Sequence, residues 1–159
     1  MKRTQVRSLS IHEWRRLGLE GAMLPVTICL EGDSMRPLIR RGLDPVTILP
    51  LNRPLMRGDI VLFQGGPDRY VVHRVYRLRD GRVQTLGDNC WNPDPWMPLE
   101  QVWGLVTRMQ RNGRTFTLDC RLSRWWGRGW MFFHPVWKVY KKLRSLAGRC
   151  YRKVFPKKH

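Results

Sequence analysis

Two dipeptides, Asp80-Gly81 and Asn112-Gly113, constrain this chain most, because each separates two runs rich in β-formers. Both members of such a pair tolerate positive φ, which a two-residue turn matched to the twist of paired strands requires. Around them the pattern predicts short strands over 26–30, 45–49, 59–63, 70–78, 82–86, 101–109 and 115–118. Tyr70-Val71-Val72 and Val102-Trp103 carry the strongest strand signal. Neither α/β alternation nor an internal repeat interrupts the series. The expectation is a compact, mostly β domain over residues 22–119.

Different physics flanks that body on each side. Ser10-Ile11-His12-Glu13 has capping-box spacing, and Ile11, Trp14 and Leu17 recur on one side of a helix. A short helix is predicted over 11–19 within an N-terminal segment of residues 1–21, closed by Gly18 and Gly21. After Cys120 the composition changes, and residues 121–159 hold twelve Lys or Arg and no Asp or Glu. Pro135 suits the first turn of a helix, and from Val136 through Val139, Tyr140 and Leu143 to Val154 apolar residues fall on one face. The segment 120–159 reads as a basic, aromatic, amphipathic tail.

With 30 Lys and Arg against 12 Asp and Glu, the net charge of +18 implies an anionic partner. The tail favours lipid. Trp125, Trp126, Trp130, Phe132 and Phe133 crowd ahead of the predicted helix, and with Trp137 they are the predicted contacts to an anionic membrane surface. The competing reading packs that aromatic face against the chain's own domain. Nucleic acid would answer the same charge, but nothing resembles a helix-turn-helix, a zinc finger or the paired aromatic motifs of an RNA-recognition domain.

No run of about 18 uncharged apolar residues is present, and the basic start lacks the apolar stretch of a secretory signal. The predicted location is cytoplasmic, or peripheral on the cytoplasmic membrane face. Cys29, Cys90, Cys120 and Cys150 form no Cys-x-x-Cys pair, which reads as isolated thiols in a reducing compartment, with one or two disulfides the poorer reading. Walker, dinucleotide and metal-ligand patterns are missing, and His12, His134 and His159 stand apart, so no cofactor or metal is predicted.

Within the β body, Ser34, His73, Asp88 and Asp94 are the reactive types. A serine hydroxyl becomes nucleophilic when a neighbouring base accepts its proton, and an imidazole with a pKa of about 6.5 does so once a third group fixes its tautomer. Ser34 leaves a strand on a turn. His73 lies in "YVVHRVYRL", where regular alternation puts it on a face with Val71 and Val75, a setting equally suited to a structural histidine.

The ordered set "GDSMRPLI", "RGDIVLF", "VVHRV" and "TLGDNCWNPD" resembles the type I signal peptidase family, within the wider S24/S26-like serine peptidases. It is most similar to the histidine-using archaeal and endoplasmic-reticulum branch, over roughly residues 26–106. The resemblance implies a signal-peptidase/LexA-like catalytic β domain without a cofactor, in which Ser34 attacks the scissile carbonyl. His73 stands where other branches use lysine, followed by Arg74. It also implies Asp94 as the acid that orients His73, with Asp88 as the alternative, and the Ser34 backbone amide as an oxyanion donor. Gly32, Asp33, Met35, Pro37, Gly58, Asp59, Arg74, Gly87 and Asn89 fall in the supporting positions of those motifs.

Relatives of this kind carry an apolar N-terminal membrane helix, which this sequence replaces with the short 11–19 segment. The implied function is therefore an endopeptidase cleaving a leader or signal-like segment from a dedicated peptide or protein precursor. The alternatives are an inactive peptidase-like peptide-binding module and a basic nucleic-acid-binding protein.

Overall fold

The computed structural model describes residues 11–67 and 69–154; Ser10 and its predicted cap lie outside them. The fold mixes helix with antiparallel sheet. Helix α1 spans Ile11–Leu19 and is followed by β1 (Val26–Ile28), β2 (Val46–Pro50), β3 (Ile60–Gly66), β4 (Arg69–Arg79) and β5 (Arg82–Leu86). Then come β6 (Met97–Pro98), a 3-10 turn (Leu99–Gln101), β7 (Val102–Arg111), β8 (Arg114–Thr117) and α2 (Arg121–Val154).

Every strand pairing is antiparallel, in the order β1-β2-β7-β3-β4-β5-β6, with β8 paired to the far end of β7. The two hairpin turns form as the dipeptides dictate. Asp80 and Gly81 take φ of 46° and 70°, and Asn112 and Gly113 take 51° and 74°, closing Arg79 onto Arg82 and Arg111 onto Arg114.

The sheet buries both faces. Along β3, Ile60 and Leu62 join one core with Trp14, Met35, Ile48 and Trp103. Val61 and Phe63 join the other with Val75, Val83 and Leu105. Trp14 fastens α1 to the body, its ring buried and its Nε1 donating to the Leu24 carbonyl at 2.7 Å.

The structure departs from the sequence pattern at several strand ends, β3 running to Gly66 instead of 63 and β7 to Arg111 instead of 109. β1 ends at Ile28 instead of 30, and β6 with its 3-10 turn was not predicted, because two or three residues carry no readable period. The larger correction concerns α2, which begins at Arg121 and runs through Pro135. Pro135 lacks the N–H that would bond the Met131 carbonyl, but the preceding turns are docked: Arg124, Gly127, Trp130 and Met131, at steps of three, three and one, meet the body. Tertiary contact, invisible to local pattern, sets where this helix starts. With α2 at 34 residues the chain as a whole mixes helix and sheet, while the body between the helices is an antiparallel β-sheet. Among the described residues no helix is long and apolar enough to cross a membrane.

Candidate active site

His73 sits near the middle of β4, facing Val61 across the β3–β4 pairing. Its Nδ1 lies 2.7 Å from Asp94 Oδ2. Asp94 follows β5 and is held there from three directions: its amide donates to the Thr85 carbonyl at 2.8 Å, Gln84 Nε2 donates to the Asp94 carbonyl at 3.1 Å, and Thr85 Oγ1 donates to Asp94 Oδ2 at 2.6 Å. Thr85 is fully buried. A carboxylate fixed this way holds the imidazole with Nε2 turned to the opposite side.

That side is a cleft of about 710 Å³ lined by Ser34, His73, Cys90, Asp94 and Arg69, among others. Ser34 lies on the turn after β1, ordered by its neighbours. Met35 is buried in the core, Arg36 pairs with Asp33 at 2.8 Å, and Asn89 binds both ends, its N–H on the Ser34 carbonyl at 2.7 Å and its Nδ2 on the Asp33 carbonyl at 3.0 Å. Among the described residues no hydrogen bond joins the Ser34 hydroxyl to His73, and the Ser34 amide donates to no internal partner. The geometry joins His73 to Asp94 directly and brings Ser34 into their cleft through the 87–90 loop. Gly87 makes this approach possible: a Cβ there would stand 2.9 Å from His73 Nε2, 2.8 Å from the Ser34 carbonyl oxygen and 2.6 Å from Cys90 Sγ.

Asp88, the alternative acid, faces the other way. It accepts from Arg74 Nε at 2.9 Å and from the second guanidinium nitrogen at 2.8 Å, while Arg74 also donates to the Gly58 carbonyl at 2.9 Å. Both side chains are buried. Asp59, the acid of the second Gly-Asp box, is likewise buried and paired with Arg53 at 2.8 Å. Gly58 has φ 98° and abuts the backbone of Arg124 in α2. Gly32, Asp33 and Pro37 are all exposed on the segment around Ser34.

Several site neighbours escaped the sequence reading. Thr85 reaches Asp94 because the β4–β5 register sets it opposite Val75. Cys90 Sγ lies 3.9 Å from His73 Nε2, and "GDNC" in the last motif was its only sequence trace. Arg69 and Val71, with His73 and Asp94, separate the large cleft from a second one of about 430 Å³ toward Trp96 and Met97. Cys29, Cys90 and Cys120 are free thiols. No group of three or more His, Cys, Asp or Glu converges as metal ligands among the described residues.

Burial pulls the His73 pKa down, but the hydrogen bond to Asp94 and the contact with Cys90 overcome it, and the net result is a rise to about 9. Burial likewise pushes Asp94 up, and the bonds from His73 and Thr85 bring it below the usual range. Because the folded His73 pKa exceeds the unfolded value of about 6.5, its stabilisation is complete below pH 6.5 and disappears as pH rises through 9. That stabilisation is roughly 3 kcal/mol, at about 1.4 kcal/mol per pKa unit, and it belongs to the His73–Asp94 pair jointly. Urea denaturation at pH 6 and pH 9.5 is expected to show the loss in the parent and a much smaller one in Asp94→Asn. Equal slopes in the two proteins would contradict the pairing.

A scan against protein-family models finds no match for this chain, and a search of curated proteins finds none either.

Proposed function

We propose that this chain is a serine endopeptidase of the signal-peptidase-like kind, removing a leader or signal-like segment from a peptide or protein precursor at a membrane's surface. The carrying observation is the His73 Nδ1–Asp94 Oδ2 bond of 2.7 Å in the wall of the cleft that also holds Ser34. In this reading the Ser34 hydroxyl attacks the scissile carbonyl while His73 Nε2 takes its proton. The Ser34 amide then donates to the new oxyanion. His73 returns the proton to the leaving amine, and water releases the acyl group by the same route in reverse. The two clefts flanking His73 and Asp94 are sized for residues on either side of a scissile bond. The resemblance implies small side chains just before that bond.

A base must be neutral to accept a proton. With His73 raised to about 9, only about 1% is neutral at pH 7, so kcat/KM is expected to climb up to about pH 9. The Cys90 thiol favours a second reading, because its Sγ lies 3.9 Å from Nε2. Covalent labelling separates the two. A fluorophosphonate is expected to add to Ser34, shown by peptide mass mapping, and to spare Ser34→Ala. If the label leaves Ser34 untouched while iodoacetamide on Cys90 stops turnover, the thiol is the nucleophile and the serine assignment fails.

A further inference from the structure

α2 has one face fixed to the body. A Cβ at Gly127 would run into the Arg74 guanidinium, Trp130 Nε1 donates to the Asp88 carbonyl at 3.1 Å, and Met131 is buried. Arg124 pairs with Asp119 at 3.1 Å, and Arg128 Nε donates to the Arg57 carbonyl at 3.1 Å. These contacts fix the rotation of the helix. They correct one sequence expectation, since Trp130 turns inward. Trp137 is half-buried beside it, the two rings 5.8 Å apart.

The same rotation turns a continuous apolar stripe outward. Leu122, Trp125, Phe132, Phe133, Val136 and Leu143 are each between 60% and 79% exposed. Successive members are three or seven residues apart, with Phe132 and Phe133 side by side, so all fall on one side of the helix, over a length of about 30 Å at 1.5 Å per residue. Monomeric proteins rarely leave a patch of this extent uncovered. Arg121 and Arg128 flank it on one margin of the helix and Arg144 on the other, all exposed.

We infer that this outward face of α2 seats in the plane of an anionic membrane surface, with Trp125, Phe132 and Phe133 in the headgroup–acyl boundary and the marginal arginines on lipid phosphates. An in-plane position follows from the sequence of the stripe's surroundings: a spanning helix would drag Arg124 and Arg128 into hydrocarbon, whereas a helix lying flat leaves them at the polar level. A second copy of the chain is a poor cover for the stripe, since each copy brings a net charge of +18. Nucleic acid would use the arginines and stack on the rings, but leaves Leu122, Val136 and Leu143 without a counterpart. The inference stands apart from the peptidase reading and holds whether or not Ser34 is a nucleophile.

Vesicle sedimentation of the full chain tests it without measuring hydrolysis. The protein is expected to pellet with vesicles of equal phosphatidylglycerol and phosphatidylcholine, and at least about tenfold less with phosphatidylcholine alone. Trp125→Ser/Phe132→Ser/Phe133→Ser keeps the charge and touches no buried contact. It is expected to lower binding to the anionic vesicles by about tenfold or more at an unchanged Tm. Three outcomes overturn the inference. The variant may bind as the parent does while about 0.5 M salt strips both. Gel filtration may instead show a parent dimer that the variant dissociates. Or the substitutions may weaken binding to a single-stranded oligonucleotide and leave vesicle binding intact.

Discussion

Ser34→Ala is expected to lower kcat for peptide hydrolysis by a factor on the order of 10⁶, and His73→Ala by about as much, because a nucleophile and its base fail together. The double variant should then be no worse than either single one. What survives, on the order of 10³ above water, belongs to the oxyanion donor and to substrate binding, and here the Ser34 amide is present in every variant. Both side chains line the cleft, and His73 is also buried, its ring 6.0 Å from that of the core residue Phe63. Ser34 is half-buried, and its own ordering contact runs through the backbone carbonyl to Asn89. Melting temperature should therefore stay near the parent's in Ser34→Ala, while His73→Ala also loses the stabilising bond to Asp94. The measurement is single-turnover cleavage of a precursor peptide by the two single variants and the double. Full turnover in Ser34→Ala with a dead Cys90→Ala would move the nucleophile to the thiol. Multiplying losses in the double variant would show that the two residues do not act as one unit.

Local chemistry explains which parts of the fold were legible in the sequence. The hairpins at Asp80-Gly81 and Asn112-Gly113 depend on two residues each, and the α1 bounds of 11–19 on a short amphipathic period, so both could be read directly. The start of α2 could not, because it depends on Gly127 fitting against Arg74 and on Trp130 finding the Asp88 carbonyl, contacts made by residues more than forty positions apart in sequence. The same limit applies at the site. Ser34, His73, Asp88 and Asp94 were named through motif resemblance, but the choice between the two acids is a matter of strand register. Adjacent residues of β4 point to opposite faces, so His73 meets the carboxylate on one face and Arg74 takes the one on the other. Thr85 and Cys90 entered the site only through that register and the loop it anchors.

Strand register also separates what the two aspartates do, and substituting each should expose different losses. Asp94→Asn removes the charge that orients His73 Nδ1 and presents an amide in its place, which favours the wrong tautomer. A drop in kcat of about 10⁴ is expected, and the acidic limb of kcat/KM should move from about 9 toward the ordinary histidine value, since the raising hydrogen bond is gone. Asp88→Asn removes the counter-charge from a fully buried guanidinium. Arg74 keeps its bond to the Gly58 carbonyl but loses its counter-ion, and breaking a buried pair from one side costs about 3–5 kcal/mol. The damage should appear as a lower denaturation midpoint, with the limb of the pH profile unmoved in whatever fraction stays folded. Arg74→Met/Asp88→Leu, which removes both charges, should recover much of that loss, because the penalty lies in the unpaired ion. Kinetics and urea melts on these three proteins decide the matter. If Asp88→Asn is folded and inactive while Asp94→Asn turns over like the parent, the orienting acid is Asp88, and the 2.7 Å contact at His73 Nδ1 is a structural bond with no part in catalysis.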